Sequence, residues 1–133
     1  MAAARSALRN RLELVAYLLL RSFFRLLSPR LADRVGRAAG LLYRRLDARR
    51  RRLVTTNLAL AFPERPAPEV ERLGREVFAH FGGLAADLLR SETEPVPSLL
   101  SRVEVAGLEN ARAAAGSGRG VFFATPHLGN WEW

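Results

Sequence analysis

The sequence predicts an α/β fold, with a helix-rich N-terminal half leading into a βαβ unit of a mixed sheet. Three observations carry this expectation. Residues 69 to 90 place apolar side chains at mostly three- and four-residue steps, the repeat of a helix with one buried face. After Pro95 and Pro97 the period shortens to two over Arg102-Val103-Glu104-Val105-Ala106, as in a half-buried strand. A second apolar run, Val121 to Thr125, follows a short helical stretch. The 14 residues from Ala106 to Arg119 just suffice for a parallel crossover, a connection that is right-handed in nearly all folds.

The first 29 residues carry Arg5, Arg9 and Arg11, then the apolar run Leu14 to Leu20, then Arg21 and Arg25 among Phe23, Phe24, Leu26 and Leu27. Seven uninterrupted apolar residues fall far short of the roughly 20 that span a bilayer. Arginine ends the run and no small-residue cleavage site follows, so a secretory signal is not expected either. Residues 1–29 read as an amphipathic helix lying in a membrane interface, its leucines and aromatics inserted and its arginines snorkelling. The same pattern is open to a second reading, as the first core-packing helix of a globular domain. Residues 30–133 are expected to form part of a single α/β domain.

Pro29 is expected to end the first helix. A second helix is predicted from about Leu31 to Leu46, with Gly36 and Gly40 at a spacing that permits close helix approach. The densest charge run follows: Arg44-Arg45, then Arg49 to Arg52. It leads into an apolar stretch, Leu53 to Phe62, in which Asn57 stands as a polar residue suited to an internal hydrogen bond. Pro63, Pro66 and Pro68 close this stretch, and Pro68 suits the start of the next helix. That helix, Glu69 to about Arg90, carries Val70, Leu73, Val77, Phe78, Phe81, Leu84, Ala85, Leu88 and Leu89 in one stripe. Gly82-Gly83 within it mark a kink or a close contact, and His80 falls at the stripe's edge as a border packing residue. Ser91 to Ser98 reads as a linker, Leu108 to Ala115 as a short helix and Gly116 to Gly120 as a turn.

Composition narrows the function classes. The 133 residues allow one modest domain, and an apolar fraction of 49% suits a globular or membrane-associated protein. The absence of cysteine excludes disulfides and thiolate metal sites. All 21 basic residues are arginine and the net charge is +8. That balance favours anionic partners: phospholipid headgroups, phosphorylated glycolipids, acidic carrier proteins or nucleic acid. Nucleic acid is the weakest of these, because no recognition motif or interleaved aromatics accompany the arginines.

The chemistry is concentrated in the closing run, Thr125-Pro126-His127-Leu128-Gly129-Asn130-Trp131-Glu132-Trp133. Ligands of open α/β sheets gather beyond the carboxyl ends of strands, and His127 stands two residues past the expected strand end. Pro126 stops the strand, Gly129 permits a tight turn and Asn130 suits a helix N-cap. On one straight helix His127 and Glu132 would diverge by about 140°, so they meet only if the chain folds back through Leu128-Gly129. An imidazole is the side chain best matched to deprotonate an alcohol near neutral pH. Glu132 would fix its tautomer and stabilise the imidazolium, as the third member does in a serine-hydrolase triad. His127 and Glu132 are therefore the candidate catalytic pair, with Arg119, Gly129 and Asn130 as candidate substrate-binding residues. No metal and no cofactor is expected, since zinc needs about three protein ligands and His80 is the only other histidine. Trp131 and Trp133 suit either a pocket wall or core packing.

Gly118 to Glu132, with its His-x4-Glu spacing, resembles the first motif block of the bacterial lipid A late (lauroyl/myristoyl) and lysophospholipid acyltransferases. Upstream pieces agree: Arg51-Arg52, Asn57 to Pro63, Arg75 to Phe81 and Val105 to Asn110. The resemblance implies a glycerolipid-acyltransferase-like α/β fold and a bacterial inner-membrane enzyme acting at the cytoplasmic face. It implies transfer of a fatty acyl group from acyl carrier protein, or less often coenzyme A, to a hydroxyl of a glycolipid such as a lipid A precursor. It also implies that His127 is the general base and Glu132 its partner. Members of that family are considerably longer, so the chain is expected to be an N-terminal portion. A reading from another class is a non-enzymatic basic module coating anionic membrane or nucleic acid through Arg49 to Arg52.

Overall fold

The computed structural model describes residues 7–92, 94–126 and 129. Contacts divide the chain into two compact units, Met1–Thr93 and Glu94–Trp133.

The first unit is built from four helices: α1 (Ala7–Leu26), α2 (Pro29–Leu46), α3 (Ala48–Ala61) and α4 (Ala67–Ser91). α4 is the shared partner of the other three. Its stripe supplies the buried face, with Val70, Gly74, Phe78, Ala79, Gly83 and Ala86 all buried. α2 lies against most of it, and glycine is the reason the two helices come so close. A Cβ on Gly36 would sit 2.6 Å from the Ala86 Cβ and strike the Gly82 carbonyl oxygen. A Cβ on Gly40 would strike the Phe78 carbonyl oxygen, and one on Gly82 the Gly36 carbonyl oxygen. The backbones themselves are in contact, which small residues alone permit. The Gly82-Gly83 pair thus serves a close contact inside a continuous helix. Below this contact Phe24, Ala32 and Ala86 form a buried cluster, bordered by Leu27, Val35 and Leu89.

Local chemistry sets the helix ends. Pro29 opens α2 instead of closing α1, because a proline at the first helical turn loses no hydrogen bond. Ser28 caps the same helix, its Oγ accepting from the Leu31 N–H at 3.4 Å. α2 and α3 meet at Asp47, whose Oδ1 accepts from the Arg50 N–H at 2.8 Å and so caps α3. The stretch to which the sequence assigned no element, Leu53 to Ala61, therefore continues a helix that begins among the arginines. Asn57 lies on its exposed side, so the internal hydrogen bond expected of it has no buried setting.

α1 presents two opposed faces. Tyr17, Arg21 and Phe24 turn toward α4: the Tyr17 hydroxyl donates to Glu92, Arg21 Nη1 lies 3.9 Å from the same carboxylate, and Phe24 is buried. Arg90 of α4 donates to the Leu27 carbonyl at 3.2 Å just beyond the helix. On the other side Leu12, Val15, Leu19, Phe23 and Leu26 are all exposed. Their three- and four-residue spacing aligns them in one stripe. No helix among the described residues is long and apolar enough to cross a membrane.

The second unit corrects the expected fold class. Among the described residues the protein is three-quarters helical and contains no strand, so neither a βαβ unit nor a mixed sheet forms. Its elements are α5 (Val96–Leu100) and α6 (Leu108–Gly116). The segments expected as strands, 102–106 and 121–125, are irregular, with Val103, Val105, Phe122 and Phe123 exposed. Alternation specifies which side chains would share a face, but a strand exists only when its backbone pairs with a neighbour. The described backbone bonds outside helices in this unit span only three or four residues, such as Arg102 N–H to Leu99 O at 3.0 Å. α5 begins inside the expected linker: Pro97 stands in its first turn, where proline is tolerated.

Candidate functional site

The sequence-derived site falls in the second unit. His127, Asn130 and Glu132 lie outside the described residues, and of the closing run the structure describes Thr125, Pro126 and Gly129. Gly129 has φ of 60°, the left-handed conformation that glycine adopts without steric cost. Thr125 Oγ1 lies 3.2 Å from the Pro126 carbonyl oxygen, to which it donates.

Upstream, α6 ends in a compact turn. Ser117 Oγ donates to the Ala114 carbonyl at 2.7 Å and accepts from the Arg119 N–H at 3.4 Å. Gly118 within that turn has φ of 70°. Arg119 is exposed just beyond the turn. The polypeptide from Gly120 to Pro126 is irregular, and its apolar side chains are not covered.

The other candidate groups sit on the helical unit. Arg49, Arg50 and Arg52 are exposed on the first two turns of α3, and Arg51 is half-buried. Guanidiniums at the positive end of a helix are unfavourable by roughly 0.3–1 kcal/mol each. Asp47 offsets part of this: its carboxylate lies 3.3 Å from Arg50 and caps the helix. The Arg50 N–H bond, aided by the Tyr43 hydroxyl and the Arg50 charge, holds the Asp47 carboxyl below its ordinary range, against the opposing effect of burial. The Arg50 guanidinium also lies over the Tyr43 ring, 5.8 Å from its centroid. Burial, with the hydrogen bond to Asp47, raises the Tyr43 phenol above its usual value.

Sequence reasoning missed the role of Asp47. The signal was present, because an aspartate directly before Ala48-Arg49 is a preferred N-cap. His80 is exposed, its ring edge-on to Phe81 at 5.8 Å, consistent with a residue at the border of the α4 stripe.

With the geometry in place, comparison with known proteins decides the class. The profile of one family, the bacterial lipid A biosynthesis acyltransferases, matches residues 4–133. The chain belongs to that family. No curated protein and no solved structure matches it. The acyltransferase accordingly works in lipid A biosynthesis, with an acyl donor and a lipid acceptor as its substrates. The match runs through α1 to α6 and through the His127 to Glu132 run, so helices and motif are features of one family sequence. It sets aside the reading of the chain as a non-enzymatic basic module.

Proposed function

We propose that the acyltransferase moves a fatty acyl group from acyl carrier protein, or from coenzyme A, to a hydroxyl of a membrane glycolipid such as a lipid A precursor. His127 is the general base and Glu132 orients it. The observation that carries this reading is the family membership over residues 4–133, together with the single His-x4-Glu run that falls inside it.

The chemistry follows from the groups required. A ring nitrogen of His127 takes the proton of the acceptor hydroxyl as its oxygen attacks the thioester carbonyl. The tetrahedral intermediate collapses by breaking the carbon–sulfur bond, and the imidazolium returns its proton to the departing thiolate. Glu132 holds the other ring nitrogen, fixing the tautomer and stabilising the imidazolium. Gly129 allows the fold-back that brings Glu132 toward His127, and Asn130 and Arg119 bind substrate beside them.

We place the enzyme on the cytoplasmic face of the bacterial inner membrane, with residues 1–29 as the membrane-associated segment and residues 30–133 belonging to the acyl-transfer domain. The exposed stripe of α1, from Leu12 to Leu26, supports the membrane association of that segment. It is apolar, continuous and opposite the face bonded to α4, as in helices that lie in the plane of an interface.

Acyl transfer from acyl carrier protein and from coenzyme A to a lipid A precursor, measured in detergent, tests the reading. His127→Ala is expected to lower turnover by about 10²–10⁴ while vesicle binding survives. Unchanged turnover would remove His127 from the mechanism.

A further inference from the structure

We propose that the helical unit carries a phospholipid site of its own, built from residues other than those assigned to acyl transfer. The acyl tail lies in the groove between α2, α3 and α4, and the phosphate rests on Arg49 and Arg52. The occupant is a lipid of the bilayer itself, an anionic diacyl phospholipid.

The groove has a volume of about 1190 Å³, above the roughly 300–1,000 Å³ of ordinary small-molecule sites. Its wall is apolar for most of its length, with Leu20, Phe24, Leu53, Val77, Phe81 and Leu89 contributing. Such a wall offers nothing to a sugar or a nucleotide but suits a hydrocarbon chain. At the α3 end the surface changes character. Arg49, Arg50, Arg52 and Asp47 stand there, and three guanidiniums against one carboxylate leave two positive charges. Arg50 is engaged by Asp47 at 3.3 Å. The Arg49 and Arg52 side chains are exposed, and neither guanidinium forms an ion pair with a carboxylate among the described residues. An apolar trough ending in two uncompensated arginines is complementary to a tail with an anionic head, and arginine forks match phosphate oxygens.

The source of that lipid is argued from α1. Leu20 and Phe24 of α1 form part of the groove wall. Phe24 meets Phe23 edge to face, with centroids 5.3 Å apart, and Phe23 belongs to the exposed stripe of the same helix. The groove and the stripe are thus joined by one apolar surface, and a lipid reaches the groove from the bilayer without crossing water. This rests on the interfacial placement of α1 for the route of entry, and not for the site.

The test is photolabelling of the full chain in detergent micelles doped with phosphatidylglycerol bearing a diazirine on one acyl chain, with labelled residues located by mass spectrometry. Labels are expected at Val77, Phe81 and Phe24. The Arg49→Gln/Arg52→Gln variant, whose substitutions are exposed, is expected to lower that labelling by about tenfold or more. Ala39→Phe/Ala85→Phe, which fills the groove, should do the same with unchanged circular dichroism. Diacylglycerol carrying the same diazirine chain should label the groove no better than the arginine variant is labelled. Replacing Leu12 and Leu19 by Gln, which weakens the stripe, should leave micelle labelling of the groove intact, so a failure of the membrane reading of α1 is distinguished from a failure of the site. No label at Val77 and Phe81 in the wild type, as when polypeptide or a protein partner fills the groove, overturns the proposal. Equal labelling by phosphatidylglycerol and diacylglycerol overturns the phosphate assignment.

Discussion

Replacing Gly40 by Ala isolates the contact on which the helical unit depends. An alanine in a helix interior is favoured over glycine by about 0.8–1 kcal/mol, so propensity alone predicts a more stable protein. The contact with α4 predicts the reverse. The new Cβ would strike the Phe78 carbonyl oxygen and stand 3.0 Å from the Phe78 carbonyl carbon and 3.2 Å from the Gly82 Cα. All three are backbone atoms of α4, so no side chain can swing aside and the helices must separate. Overpacking costs roughly 1–3 kcal/mol and sometimes more. Separating the helices also sacrifices dispersion contacts along the interface, which puts this case at the upper end. Net of propensity, Gly40→Ala should destabilise by about 2 kcal/mol. Gly74→Ala in α4 is the control. There the added Cβ meets only Thr55 Oγ1 at 3.8 Å and Leu58 Cδ1 at 3.9 Å, ordinary van der Waals distances. It should stabilise by about 0.5–1 kcal/mol. Thermal unfolding followed by far-UV circular dichroism reads both, at roughly 4 °C per kcal/mol for a chain of this size. A Gly40→Ala protein as stable as the wild type, or more so, would refute the backbone contact between α2 and α4.

Replacing Leu12 and Leu19 by Gln on the exposed stripe should weaken binding to anionic vesicles by about tenfold or more, since each leucine loses the transfer energy of a partly buried side chain. Flotation measures it, and unchanged binding would count against an interfacial α1. The Asp47 carboxyl titrates below its unfolded value because of the Arg50 N–H bond. Its contribution to stability is therefore present above the unfolded Asp range and lost as pH falls through the folded value. Asp47→Ala should lower the melting temperature at neutral pH and flatten the acid limb of the pH–stability curve, and an acid limb unchanged by the substitution would contradict the cap.

The helices were legible wherever a local signal fixed them. The three- and four-residue stripe from Val70 to Leu89 specified α4, and Gly36 and Gly40 marked a helix side bare enough for close approach, although only the structure shows α4 to be the partner. α3 was not legible, because Arg49 to Arg52 put four charges into its first turns and Thr55, Thr56 and Asn57 blur any apolar face. α5 hid behind Pro95 and Pro97, which read as linker residues although Pro97 stands where a helix tolerates proline. The expected strands failed for a different reason. The Val103-Glu104-Val105 alternation is a local pattern, and a sheet is a non-local object that needs a paired neighbour. The candidate site was legible as composition and order: one imidazole, one carboxylate and one glycine in a nine-residue run. Of these the structure describes Gly129, whose backbone is left-handed; the imidazole and the carboxylate lie outside the described residues.

The measurement that bears most directly on the His127–Glu132 dyad is a double-mutant cycle on acyl transfer, using His127→Ala, Glu132→Ala and the double variant in the same detergent assay. If the carboxylate acts only through the imidazole, removing both costs scarcely more than removing His127 alone. Losses that instead multiply, with Glu132→Ala slowing the His127→Ala enzyme by as much as it slows the wild type, would contradict the dyad.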